Sequence, residues 1–304
     1  MKNIKFYMLL AATMLMVAAC GSDDDDLGGT SGGGNNQKEL NVNKNYDGAQ
    51  PEVGRLEFPR LKGGNSIVIV HKTDDAYGLN FCTEWDYGKM SQRWSCYQMY
   101  KGYGGNAGRY QGNPQYPFDE DLQAIEAQTG IKMYWDEDLF RGSGYDHGHI
   151  CPSADRQYST QANKQTFYLT NMQPQYPQFN QKLWAEMENR MRKWIDNSSA
   201  TDTMYVCKGG TIDDERDIIE RVKGQLIVPK YFYMAILYKN SEGYKAIAFW
   251  ALNENVDRSK DDLKKYVISI DKLEELTGID FFCNLPDDVE NKVEAATYTQ
   301  SWKW

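Results

Sequence analysis

Between residues 180 and 196 the chain carries Leu183, Trp184, Met187, Met191, Trp194 and Ile195 at spacings of one, three, four, three and one. That spacing puts large apolar side chains on one stripe of a helix, and the stripe must be covered by an equally apolar surface. Asn180 can cap the start, and Asp196-Asn197-Ser198-Ser199 supplies polar turn residues to end it. Strand-like runs flank it. Upstream, Ser66–His71 is β-branched, Leu79–Asp86 alternates as a half-buried strand does, and Gly88-Lys89 turns the chain into Arg93–Met99 as a hairpin. Residues 101–118 read as a long loop and Asp119–Gln128 as a short helix with an acidic first turn. Downstream, 226–237 and 244–250 suggest a second sheet region, and Ser269 introduces a short helix that runs through Leu276 and stops at Gly278. Strands around a helix predict a mixed α+β domain.

The chain starts MKNIKFYMLLAATMLMVAAC, with Lys2 and Lys5 ahead of an apolar run from Phe6 to Ala19. Such a run is too short to span a bilayer comfortably and reads as an export signal over residues 1–20. Val17-Ala18-Ala19-Cys20 resembles a bacterial lipobox, which makes Cys20 the expected lipidation site; an ordinary signal peptide with a chance cysteine is the alternative. Residues 21–51 are rich in Gly, Asn and Asp and predict a flexible tether. Asp23–Asp26 beside Cys20 resembles a surface-sorting signal, with a plain solvated charge run as the alternative. The expected location is therefore the outer membrane, through a lipid anchor at Cys20 and exposed at the cell surface, with the periplasmic face as the other possibility. Residues 52–304 contain no further low-complexity break, repeat or long apolar run, which predicts one large domain.

The net charge is −9, and with the six acids and four bases before residue 52 removed the domain carries −7. It has no global attraction for a polyanion, so any phosphate must be held by a local basic patch or a metal ion. Setting Cys20 aside leaves Cys82, Cys96, Cys151, Cys207 and Cys283. In an oxidising compartment one or two disulfides are expected, and Cys82 with Cys96 is the favoured pair because each sits in a strand-like run across a turn.

Two of the three histidines lie in Tyr145-Asp146-His147-Gly148-His149-Ile150-Cys151-Pro152-Ser153-Ala154-Asp155. On an extended segment His147 and His149 point the same way and can converge on zinc or copper, with carboxylates or Cys151 completing the set. Alternatively one histidine is a general base, since an imidazole titrating near neutrality can take a proton from water. Downstream, Phe167–Gln175, then Phe179-Asn180-Gln181, then Trp184–Glu188 and Arg192 offer amides and carboxylates, oxygen donors that suit magnesium.

The combination YDHGHICPSADR, TFYLTNMQPQ, FNQ, W-x-x-M-E and the arginine that follows resembles the DNA/RNA non-specific endonuclease family, which includes mitochondrial endonuclease G and secreted bacterial nucleases. Weaker likeness extends through RLEFP at 55–59, RWSCY, VPKYFYMAIL and LTGIDFF. The resemblance implies a ββα-metal nuclease fold with a central antiparallel sheet flanked by helices, and metal-dependent hydrolysis of phosphodiester bonds in DNA and RNA. It implies His149 as the general base that activates water and Asn180 as the protein ligand of a divalent ion, Mg2+ by preference with Mn2+ possible. It further implies Glu188 as the acid holding a metal-bound water, Arg192 as the charge that steadies the phosphate, and Asn171 as a supporting active-site amide. Asp146 fixes loop geometry, and Arg141 and His147 are expected on the substrate side.

Asn180, Glu188 and Arg192 are separated by eight and then four residues, and each step of four rotates about 40°, so they can share a broad helix flank. Taken singly, Asn180 suits a helix cap, Glu188 and Arg192 an exposed ion pair, and His71 a structural role. His147 departs from the family pattern, which has arginine there, and so exchanges a permanent charge for a titratable one. The non-enzymatic alternative is a nuclease-fold lipoprotein that binds nucleic acid or a surface polymer without turnover. Whether the chain acts as a monomer or a homodimer is open at this stage.

Overall fold

The computed structural model describes residues 40–45, 50–74, 78–297 and 299–304. The export signal, Cys20 and the acidic run Asp23–Asp26 lie outside these residues. Eleven strands are described: β1 (Ser66–Lys72), β2 (Leu79–Asp86), β3 (Ser91–Tyr100), β4 (Asp146–His149), β5 (Met172–Gln175), β6 (Thr203–Gly210), β7 (Ile218–Val222), β8 (Leu226–Pro229), β9 (Tyr231–Asn240), β10 (Gly243–Leu252) and β11 (Val267–Ile268). The helices are α1 (Glu120–Thr129), α2 (Thr160–Gln165), α3 (Ala185–Asp196), α4 (Ile270–Thr277) and α5 (Asp287–Glu294).

Seven strands form one antiparallel sheet in the order β1-β2-β3-β6-β9-β10-β11. The expected second sheet region does not exist as such. β9 pairs with β6 from Thr203↔Lys239 to Gly210↔Phe232, which fuses the late strands to the early hairpin. β6 is the joint, and its sequence TMYVCKGG conceals it, because Lys208 and two glycines interrupt the alternation that marks a strand. Only 226–229 of the first late run stands apart, paired with β7 as a small ribbon.

Alternation along β9 gives the sheet two apolar faces. Phe232, Met234 and Ile236 lie with Met187, Met191 and Ile195 of α3, so the helix stripe is covered as its spacing requires. Tyr233, Ala235 and Leu237 face the other way and pack with Ile270 and Leu273 of α4 and with Phe281. The short helices end as their sequences dictate: Asp119 accepts from the amides of Asp121 and Leu122 at the start of α1, and Ser269 caps α4 while Gly278 closes it with a left-handed φ of 66°.

Three expectations need correction. The helix that carries the stripe begins at Pro177, and Asn180 lies inside a π-helical turn, Phe179–Trp184, that leads into α3; it is not the cap. The Cys82–Cys96 disulfide does not form, although the two are cross-strand partners. Cys207 continues the same row, and all three are buried as small apolar groups whose thiol pKa values are driven well up by burial, away from the reactive thiolate. Finally, the far end of the expected tether is part of the domain: Asn41 donates to the Leu285 carbonyl at 2.6 Å, and Asn45, 4% exposed, donates to the Pro59 carbonyl at 2.9 Å.

Candidate active site

β4 and β5 form a two-stranded ribbon that sets His149 opposite Met172 and Asp146 opposite Gln175. Gly148 is required between the histidines, because a Cβ there would meet the Gln175 side chain at 2.4 Å. Behind the ribbon, fully buried Asn171 spans two segments. Its Oδ1 accepts from the Cys151 amide at 2.9 Å, and its Nδ2 donates to the carbonyls of Cys151 and Thr166, each at 2.8 Å. Asn171 therefore holds the chain just after His149 and does not reach the cleft.

The His149 ring meets Phe167 edge-on at 4.8 Å between centroids. Burial, then the positive charge of Arg109, pushes its pKa down to about 3, against a backbone hydrogen bond at His147 that works the other way. Its Nε2 is buried and has no hydrogen-bond partner among the described residues. A neutral imidazole with a free lone pair is the form a general base needs.

An open cleft of about 460 Å3 brings His149 together with Asp146, His147, Asn180 and Glu188. The Asn180 Nδ2 donates to Asp146 Oδ2 at 2.9 Å, and Gln181 donates to the same oxygen at 2.8 Å. With its nitrogen committed, the Asn180 amide presents its oxygen as the remaining donor for a hard cation. Glu188 Oε1 accepts from Lys208 Nζ at 2.6 Å; that ammonium lies over the Trp184 ring and its side chain is fully buried. Burial raises the Glu188 pKa, and Lys208 and Arg192 oppose the rise.

Two expected residues stand apart from the cleft wall. Arg192 donates to Asp155 at 2.8 Å and to Asn189 at 2.8 Å, and is 4.0 Å from Glu188. It sits behind Glu188, with Asp155 its main partner. Arg141 is exposed and pairs with Asp138, at 3.4 Å.

His147 is sandwiched between Tyr116, stacked parallel with centroids 3.6 Å apart, and Phe140 at 4.5 Å, with its Nε2 on Asp138 at 3.0 Å. That ring is committed to its neighbours, and the paired-histidine metal reading loses its first ligand. Among the described residues the sets whose donor atoms converge are His71/Asp119/Asp121 and Asp271/Glu274/Glu294, and neither includes His147 or His149. The first is a buried donor set able to hold a divalent cation. In it, His71 Nε2 lies 2.9 Å from Asp119 Oδ2, the oxygen to which Thr170 also donates.

The sequence reading passed over Lys208, Asp155, Arg109 and Tyr116. A lone lysine inside an apolar strand was a usable signal for Lys208, and Asp155 closes the histidine motif itself. Arg109 and Tyr116 come from the Gly- and Tyr-rich loop, where composition gives no direction to any side chain.

The profile of the family described as DNA/RNA non-specific endonuclease matches residues 63–288. A nuclease of Nostoc sp. is 29% identical over 214 residues, covering 68% of this chain and 72% of its own. Human mitochondrial endonuclease G is 30% identical over 155 residues, 48% of this chain, and the match spans about half (51%) of that relative's length. A chain in the crystal structure of the EndoG/EndoGI complex superimposes with a TM-score of 0.56 at 18% identity, covering 73% of this chain and 89% of that one, a likeness of fold.

Proposed function

From the premise that the chain belongs to the DNA/RNA non-specific endonuclease family, we propose that it cleaves phosphodiester bonds in both DNA and RNA with His149 as general base and Mg2+ as the preferred cation. The observation that carries the proposal is the His149 imidazole, held neutral with an unpartnered Nε2 in a cleft shared with Asn180 and Glu188.

His149 takes a proton from a water whose oxygen attacks phosphorus in line with the departing 3′ oxygen. Tyr116 and Phe167 fix the ring's direction, and Asn171 fixes the backbone that carries it. Arg109, at the cleft wall and over the Phe167 ring, offers the positive charge that a phosphate entering an acidic protein requires. Asp146 orients the Asn180 amide, whose oxygen would hold the cation; when bound, that ion supplies neutralising charge at the phosphoryl oxygens. Lys208 opposes the rise that burial imposes on the Glu188 pKa, and Arg192 opposes it from behind. Because these groups address the phosphodiester, base and sugar discrimination are weak. Anchoring at the cell surface through Cys20 is part of the same proposal, and suits an enzyme that meets external nucleic acid.

The test is nicking of plasmid DNA and cleavage of RNA by the purified protein, with EDTA and with Mg2+ or Mn2+ restored. Wild-type cleavage that EDTA abolishes and that His149→Ala loses supports the proposal. Binding without turnover in every metal, or full cleavage by His149→Ala, would overturn it.

A further inference from the structure

On the sheet face opposite the cleft, α4 and α5 pack together and bring five carboxylates close: Asp271, Glu274, Asp280, Glu290 and Glu294. One oxygen from each of Asp271, Glu274 and Glu294 lies within 4.8 Å of the others. Oxygens bound to one Ca2+ at about 2.3–2.6 Å are at most roughly 5 Å apart, so the three are spaced to share an ion with a small inward adjustment. Glu294 provides the independent sign of a ligand. It is 5% exposed, and its Oε1 is buried with no hydrogen-bond partner among the described residues. An oxygen so placed is costly unless a proton or a cation satisfies it. The charged groups acting on Glu294 are Glu274, Glu290, Asp280 and Asp271, all of its own sign. The Glu274 carboxylate is already aimed, because its Oε1 accepts from the Phe281 amide at 2.7 Å.

We propose that Asp271, Glu274 and Glu294 form a Ca2+ site that fastens the segment 40–45 to the domain. The link to that segment is Asn43, whose Nδ2 donates to Glu290 at 2.8 Å and lies 3.3 Å from Asp280, while its Oδ1 is buried without a partner. The all-oxygen, mostly anionic donor set selects a hard divalent ion, and its irregular spacing suits the flexible shell of Ca2+ better than the octahedron of Mg2+. The site lies across the sheet from His149, so its task is to hold structure.

The experiment is thermal unfolding of the full chain, stripped with chelator and titrated with CaCl2 or MgCl2, in wild type and in the Asn180→Ala background to silence ion binding in the cleft. Ca2+ is expected to raise Tm by about 5 °C or more at a hundredfold excess over Kd, with Mg2+ much weaker, and to slow amide exchange in residues 40–45. Glu294→Gln and Asp271→Asn each remove the shift. Asp271 is exposed, so its variant folds even where Glu294→Gln does not, and it leaves nucleic-acid cleavage unchanged. No Ca2+-dependent rise in Tm at pH 8, or a full rise in both variants, would overturn the proposal.

Discussion

Replacing Lys208 by Met tests whether the structural and chemical duties of Glu188 can be separated. The Lys208 ammonium has no solvent exposure and two neighbours of note: the Glu188 carboxylate at 2.6 Å and the Trp184 ring at 4.8 Å. Methionine keeps most of the volume but leaves Glu188 buried without its main counter-charge, since Arg192 is at 4.0 Å and occupied by Asp155. Breaking one side of such a pair costs about 3–5 kcal/mol, and the remaining contact with Arg192 places Lys208→Met near the lower figure. Glu188→Gln strands the ammonium instead and should cost about as much. The double variant removes both charges and returns to within about 1 kcal/mol of wild type, a coupling of several kcal/mol in a double-mutant cycle. Urea unfolding followed by tryptophan fluorescence reads the stabilities, and plasmid nicking reads the chemistry. Stability returns in the double variant while cleavage stays at least about a hundredfold down, because the carboxylate facing the cleft is gone. Additive single effects of less than about 0.5 kcal/mol would refute the buried-pair reasoning.

His149→Ala is expected to fold normally by circular dichroism and to lose about a thousandfold or more in cleavage rate. The folded pKa of His149, about 3, lies below the ordinary 6.5, so its contribution to stability is full above pH 6.5 and is lost as pH falls towards 3. Over the part of that window accessible before acid unfolding this amounts to about 2 kcal/mol; Tm measured from pH 7.5 to 4.5 should fall less steeply in His149→Gln than in wild type. Asn171→Ala orphans the Cys151 amide and carbonyl, costs about 2–4 kcal/mol, and lowers kcat more than it changes KM by loosening the His149 backbone. In His147→Arg the planar guanidinium can stack between Tyr116 and Phe140 and pair with Asp138, so cleavage stays within about tenfold of wild type.

The strands with clean alternation were legible. β2 was placed at its observed bounds, and the α3 stripe announced its apolar cover. β6 was not legible, because its identity comes from the two strands that flank it: Cys207 pairs with Cys96 on one side and Ala235 on the other, and no local pattern contains that information. The cleft shows the same division. His149, Asn180 and Glu188, which the family resemblance singled out, do share one cleft. Long-range contacts were not legible: Lys208 reaches Glu188 across 20 positions, and Arg192, named by the same resemblance, turns to Asp155 across 37. The Cys82–Cys96 expectation rested on adjacency across a hairpin; the two are cross-strand partners, yet both remain free thiols in the apolar core.

The π-helical turn at Phe179–Trp184 acts as a phase adjuster. In an unbroken α-helix the eight steps from Asn180 to Glu188 leave the two about 80° apart around the axis. A wide turn that takes up one extra residue makes eight steps count as seven, and the offset shrinks to about 20°. Deleting one residue from this turn would repair the regular hydrogen-bond ladder and keep the offset near 20°, whereas winding all eight steps into regular α-helix would open it to about 80°. The irregularity is thus a one-tooth offset between two gears, and a chain smoothed into a perfect helix here would be tidier, and out of step.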